Sequence, residues 1–361
     1  MCELLKIRHT EDRGFSQGSY NMKKLQPTEY TYASARIRAL ENRMVGRERI
    51  DALAEARNAD EVMDRLAEYG LTLPDVEGIP DGEAQGVARE RMLLSVLREA
   101  YDEVESSVPD PAVFRYFRYP YDCNNLKAAI KCAIRGIDTG DMLFDFGTVP
   151  ADMVEGLLRE GKLDAFPTAM AAAVSVAREA YDKTGDPRRI DTVLDAACYE
   201  DMLTAASAAG EITLTGWLRT RIDLTNILIT LRILRMGMGD VGKGFLKESL
   251  LSGGALDPHQ LTEAADEGEE GLWAALKPTP YEKLCRVEGE PRALSALEKV
   301  ADDLYMEMVR RDTRIPFGAP IAAGYLVGWE FAIKNIRIIL AAKDAGLGTD
   351  VIRERIRLSY V

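Results

Sequence analysis

Apolar side chains recur at three- and four-residue intervals along most of this chain, while the two-residue alternation of strands is scarce. Positions 31–47 place Ala35, Ile37, Leu40 and Met44 on one face and Arg36, Arg38, Glu41 and Arg43 on the other, which predicts an amphipathic helix. Positions 49–68 repeat the pattern with Ile50, Leu53, Ala54, Val62 and Leu66. A Pro- and Gly-rich break over 73–86 precedes a long helix expected over 88–107, which Pro109 and Pro111 end. Further helices are expected from Thr148-Val-Pro-Ala, over 165–180, from Ile190 to Asp195, and over 293–310. Leu256-Asp257-Pro258 reads as an N-cap followed by proline in the first turn. The predicted fold class is all-α.

Three segments share one skeleton, Asn followed by Leu or Ile and, eleven residues after the Asn, by Gly. They are Asn125-Leu126 to Gly136, Asn226-Ile227 to Gly237, and Asn335-Ile336 to Gly346. The asparagines are 101 and 109 residues apart, and the chain has only seven Asn. A period that long predicts one small unit used three times. Eleven residues is about three helical turns, and Gly at the end suits the left-handed residue past a helix C-terminus. Asp122 and Asp223 lie three residues before the first two asparagines, on the same helical face, where an acid and an amide can satisfy free backbone N–H groups. In the third copy Ala332 occupies that place, with Glu330 two residues further back. Asp186-Pro-Arg and Glu290-Pro-Arg are 104 residues apart and repeat the period. The expected units are 25–147, 148–252 and 253–361, after an extension over 1–24 with no apolar signal core.

Composition narrows the function. Hydrophobic residues make up 47% of 361, enough for a large core, and aromatics only 7%. The 46 basic and 59 acidic residues give a net charge of −13, which argues against nucleic acid as main ligand and against adhesion to anionic lipid by charge. No apolar run reaches the roughly 18 residues that span a bilayer. Five scattered cysteines without a C-x-x-C pair suit reduced thiols. The aromatic run from Phe114 to Tyr121, interleaved with Arg115 and Arg118, reads as core packing with arginines reaching to solvent.

Catalytic chemistry is thinly represented. The two histidines, His9 and His259, exclude a histidine metal centre or a triad repertoire, and the acids spread over helix faces. Gly237-Met-Gly239-Asp-Val-Gly242-Lys243 matches a phosphate-loop pattern, but Gly244 follows where Ser or Thr should bind magnesium, and a helix precedes it instead of a strand. A helix-ending turn over 237–244 is expected, with no phosphate. No catalytic residue, metal or cofactor is expected.

Tyr30-Thr-Tyr32-Ala-Ser-Ala-Arg36-Ile-Arg38-Ala-Leu-Glu41, Tyr121-Asp122-Cys-Asn-Asn125-Leu-Lys127, Arg221-Ile-Asp223-Leu-Thr-Asn226-Ile, and the ending from Asn335 to Val361 together resemble the C subunits of bacterial and archaeal V/A-type ATPases, the counterparts of the eukaryotic d subunit. The resemblance covers residues 25–361. It implies three similar helical domains in a pseudo-threefold arrangement around a central funnel. It further implies a non-catalytic central-stalk component on the cytoplasmic face of a membrane, joining a coiled-coil shaft subunit and its small associate to a proteolipid rotor ring, for ATP-linked proton or sodium transport. An acidic protein near anionic headgroups needs local basic contacts. Arg115, Arg118, Arg353, Arg355 and Arg357 are the candidate interface side chains. The alternative is a helical scaffold or adaptor unrelated to a rotor.

Overall fold

Each of the three repeat glycines adopts the left-handed backbone that ends a helix, with φ of 66° at Gly136, 62° at Gly237 and 68° at Gly346. The computed structural model describes residues 25–72, 83–237, 239–289 and 292–361. The expected extension over 1–24, most of the Pro- and Gly-rich break, and the Glu290-Pro291 marker lie outside them. Among the described residues there are fifteen α-helices and no strand.

The first third holds α1 (Thr31–Glu41), α2 (Arg47–Ala54), α3 (Ala59–Glu68), α4 (Glu83–Ser107) and α5 (Tyr119–Arg135). The second holds α6 (Ala151–Glu160), α7 (Thr168–Thr184), α8 (Arg188–Ala208), α9 (Ile212–Met236) and α10 (Gly239–Ser249). The last holds α11 (Pro258–Asp266), α12 (Gly268–Leu276), α13 (Leu294–Asp312), α14 (Ala319–Asp344) and α15 (Thr349–Arg355).

Several local expectations need correction. The helix expected over 49–68 is two helices. Asn58 accepts the Glu61 N–H at 2.9 Å as an N-cap, and the Glu61 carboxylate reaches back to the Arg57 N–H at 3.0 Å, so the chain restarts as α3. In α1 the inward positions are Ala33, Ser34 and Ile37, whereas Ala35 is exposed. The Gly239–Gly244 stretch lies within α10 and is not a turn. Asp257 does cap α11 as expected, accepting the His259 N–H at 2.9 Å ahead of Pro258.

The long helices pack in a cycle. α5 of the first third lies against α8 of the second, α9 of the second against α13 of the third, and α14 of the third against α4 of the first. Ion pairs cross each seam: Lys127 and Lys131 of α5 reach Asp195 and Asp191 of α8, Arg232 of α9 reaches Glu298 of α13 at 2.6 Å, and Arg337 of α14 reaches Glu90 of α4 at 3.0 Å. Each cation stands two or six residues after its repeat asparagine, about half a turn or one and two-thirds turns along, so that both offsets fall on one helix face, away from the asparagine. Pairs of this kind, exposed or part-buried, contribute modest energy singly, so the seam rests mainly on the apolar contacts beneath them. The core runs continuously through all three thirds, with Leu126, Ile227 and Ile336 fully buried directly after their repeat asparagines.

Candidate functional site

The repeat residues build three copies of one polar clamp. In the first, the Asn125 amide donates to the Phe144 carbonyl and its oxygen accepts the Phe144 N–H, both at 2.8 Å. In the second, Asn226 does the same to Leu251, again at 2.8 Å both ways. In the third, Asn335 donates to the Arg357 carbonyl at 3.0 Å and accepts its N–H at 2.8 Å. All three asparagines are fully buried. An amide side chain offers a donor and an acceptor side by side, and so can mimic a strand neighbour for a single extended residue. Each clamp pins the segment that returns past its helix.

The acids extend the clamp by one further turn. Asp122 accepts the N–H groups of Thr148 and Val149, at 2.8 and 3.1 Å, together with the Thr148 hydroxyl at 2.7 Å. Asp223 accepts those of Ala255 and Leu256, at 3.1 and 3.0 Å, and the Tyr281 hydroxyl at 2.6 Å. Burial pushes both carboxyls up from the ordinary range, and these donors draw them partly back. The third copy has buried Ala332 at this place, and the amide after the clamped residue, that of Leu358, donates instead to Asp303 of α13 at 2.6 Å.

Two glycines belong to this motif without being evident from the repeat skeleton. A Cβ on Gly147 would stand 2.2 Å from Asp122 Oδ1, and one on Gly254 would stand 2.0 Å from Asp223 Oδ1. They precede the clamped amides and lie 107 residues apart, so the same period runs through them and is the signal that could have found them. The substitution Gly254→Ala should push the carboxylate off its amides and lower unfolding stability by about 2–3 kcal/mol in urea titrations. Gly216→Ala in α9, where an added Cβ meets nothing within 4 Å, should stabilise by about 0.5–1 kcal/mol. Equal effects at the two positions would contradict the close-contact account.

Where the three thirds meet, the structure leaves an open concavity of about 450 Å³. The first third contributes Leu94, Phe117 and Asn124, the second Met202 and Arg221, and the third Tyr305, Phe331 and Lys334. Its floor is polar. The Arg221 guanidinium lies 5.6 Å from the Tyr305 ring centre and 3.9 Å from Glu330 Oε2, and Tyr101 donates to Glu330 Oε1 at 3.1 Å. Although protein surrounds it, 45% of the side chain of Arg221, which lines the concavity, is exposed. Burial pushes the Glu330 carboxyl upward, opposed by Arg221, Tyr101 and Lys334. The same burial pushes the Tyr305 hydroxyl up to about 12, so it remains a neutral hydrogen-bonding group at physiological pH.

The candidate interface arginines do not form one patch of equivalent side chains. Arg118 folds inward, with Nε donating to Glu105 at 2.9 Å and its guanidinium 4.9 Å from the ring centres of Tyr101 and Phe146. Arg357 is buried, and its Nε donates to Asp302 at 3.0 Å. Arg353 donates to Glu55 at 2.7 Å, while Arg115 and Arg355 are exposed. Phe114, Tyr116 and Phe117 are buried as the aromatic run implied. Lys243, the lysine of the phosphate-loop pattern, pairs with Asp266 at 2.6 Å. Among the described residues no cluster of His, Cys, Asp and Glu is placed to hold a metal, and no helix is long and apolar enough to cross a membrane.

Comparison with known proteins places this architecture. The family model described as ATP synthase (C/AC39) subunit matches residues 33–355. The C subunit of the A-type ATP synthase of Methanocaldococcus jannaschii is 24% identical over 344 residues, covering 90% of this chain and 85% of its own. That of Thermococcus gammatolerans is 25% identical, covering 91% and 89%. The C subunit of the V-type sodium ATPase of Enterococcus hirae is 19% identical, covering 92% and 99%.

Proposed function

The chain belongs to the ATP synthase (C/AC39) subunit family, a non-catalytic structural component of the A/V-type rotary ATPase complex, and from that premise we propose that it is the socket joining the central shaft to the membrane rotor ring. Membership sets aside a scaffold unrelated to a rotary enzyme. In this reading the thirds 25–147, 148–252 and 253–361 are three units related by a pseudo-threefold axis. The cyclic packing of α5 on α8, α9 on α13 and α14 on α4 supports it, because a head-to-tail contact that closes after three steps generates such an axis. The protein sits peripherally on the cytoplasmic face. One surface takes the coiled-coil shaft subunit with its small associate, and another rests on the proteolipid ring.

The observation that carries the reading is the concavity to which all three thirds contribute walls. A partner seated there touches three sets of side chains around one axis and cannot turn without breaking them. One turn of α-helix, about 10 Å across and 5.4 Å in pitch, occupies roughly 400 Å³. The cavity of about 450 Å³ therefore admits the tip of one helix, and the remaining contact lies around the mouth. A torque-bearing interface should exceed about 1,000 Å² in total.

Asn124 is exposed in the cavity wall and can carry a larger side chain without disturbing the core. The expected result for Asn124→Trp is a loss of affinity for the isolated shaft subunit of about tenfold or more, with ring binding unchanged, measured by titration calorimetry and by ring pull-down. Full shaft affinity in this variant would mean that the shaft binds elsewhere.

A further inference from the structure

We propose that Arg221 is the anchor for a carboxylate carried on an Asp or Glu side chain at the tip of the helix inserted into the concavity. The proposal rests on the socket reading and extends it from shape to chemistry.

Three cations line the cavity, and they differ in how their charge is engaged. Lys334 meets Asp302 at 2.5 Å, and Arg337 donates to Glu90 at 3.0 Å. Asp302 also accepts from Arg357 at 3.0 Å. Arg221 meets Glu330 only at 3.9 Å, beyond hydrogen-bond length, and the other oxygen of Glu330 accepts from Tyr101 at 3.1 Å. The acids facing the cavity are thus engaged with other groups, while Arg221, which lies 5.6 Å from the Tyr305 ring centre and also hydrogen-bonds that side chain, keeps 45% of its own side chain exposed. A guanidinium offers five N–H donors in a rigid fork that matches a carboxylate, and the match strengthens where water is partly excluded. A cationic tip would be repelled by the same group.

The walls fix the rest of the ligand. Phe117, Phe331 and Tyr305 line the same cavity as Arg221, which suits the apolar neighbours of an acid on a helical turn. Because the volume takes about one turn, the part of such a helix that meets Arg221 is a side chain. A helix arriving by its C-terminal end would add its own partial negative charge towards Arg221.

The test uses the full chain and the purified shaft subunit of the same enzyme, titrated at low and physiological salt. Arg221→Gln should weaken binding about tenfold and flatten its salt dependence. One Asp→Asn or Glu→Gln variant at the shaft tip should give the same loss, and the two changes together should give no further loss. Unchanged affinity in Arg221→Gln would overturn the proposal, as would additive losses with every tip variant. If amidating the terminal carboxylate of the shaft, and no side-chain variant, reproduced the loss, the assignment to a side chain would be wrong. Should Arg221→Gln fail to fold, Arg221→Lys keeps the charge without the fork and should still weaken binding about threefold; full affinity there would refute the anchor. If the unaltered chain does not bind the shaft at all, the socket reading itself fails, a result distinct from binding that ignores Arg221.

Discussion

Replacing Asn226 by alanine should lower the free energy of unfolding by about 3–5 kcal/mol, the largest effect expected from any single clamp residue. The side chain is fully buried, and it donates to and accepts from the same backbone residue, Leu251, which is itself buried. Alanine leaves one N–H and one C=O without partners in a place water reaches poorly, at about 1–3 kcal/mol each. It also leaves a small void in the buried interior, where Asn226 is fully enclosed. Against a total stability of about 5–15 kcal/mol for a typical domain, this is a third or more of the margin. The isosteric Asn226→Asp should be about as damaging near neutral pH, since a carboxylate can accept the Leu251 N–H but sets a second oxygen against the Leu251 carbonyl. Asn124→Ala, at an exposed neighbour of a clamp residue, should change stability by less than about 0.5 kcal/mol. Urea unfolding followed by circular dichroism decides the matter: a loss below about 1 kcal/mol for Asn226→Ala would show that the clamp is not the source of rigidity assigned to it.

How much of this is legible in the sequence depends on how local the physics is. Asn125, Asn226, Asn335 and their glycines can be read because a helix end imposes a fixed conformation at a fixed offset, and the offset survives as a spacing in the sequence. The residues they clamp cannot. Phe144, Leu251 and Arg357 lie 19, 25 and 22 residues downstream, across loops of different length, and share no residue type. Gly147 and Gly254 sit between these cases, since their spacing repeats but their reason, the approach of a carboxylate, exists only in three dimensions. The seam cations Lys127, Arg232 and Arg337 are visible as basic residues after each asparagine, yet nothing local says that the matching acids stand on the helix of the next third. Arg118 and Arg357 show the opposite failure. Both read as surface charge, and both are held inside by partners distant in sequence. A funnel follows from the resemblance, but in the sequence Arg221 is no more than the first residue of a repeat motif. Its different pairing from Lys334 and Arg337 is a fact about packing that spacing does not encode.

A rotary enzyme reconstituted without this chain should retain ATP hydrolysis in its catalytic subunits and lose ATP-driven ion transport down to the leak level. The expectation follows from the proposed position of the chain in the path of torque. Catalysis turns the shaft, ion movement requires the ring to turn, and a body between them with no chemistry of its own can fail only by letting one turn without the other. Neither partner could replace it by proximity, because transmitted torque needs contacts off the axis on both sides, which in the proposed arrangement the three-sided concavity would supply on one face and a separate ring-binding surface on the other. The chain also carries a net charge of −13, so non-specific adhesion to anionic headgroups would not keep it in place; specific contacts must. Adding the intact protein back should restore transport, and adding Asn124→Trp should restore ring occupancy while leaving transport impaired. Ion uptake into vesicles and ATP turnover, measured on the same preparation, separate these states. Normal ATP-driven uptake in vesicles shown to lack the chain would mean that shaft and ring couple without it, and the socket assignment would fall.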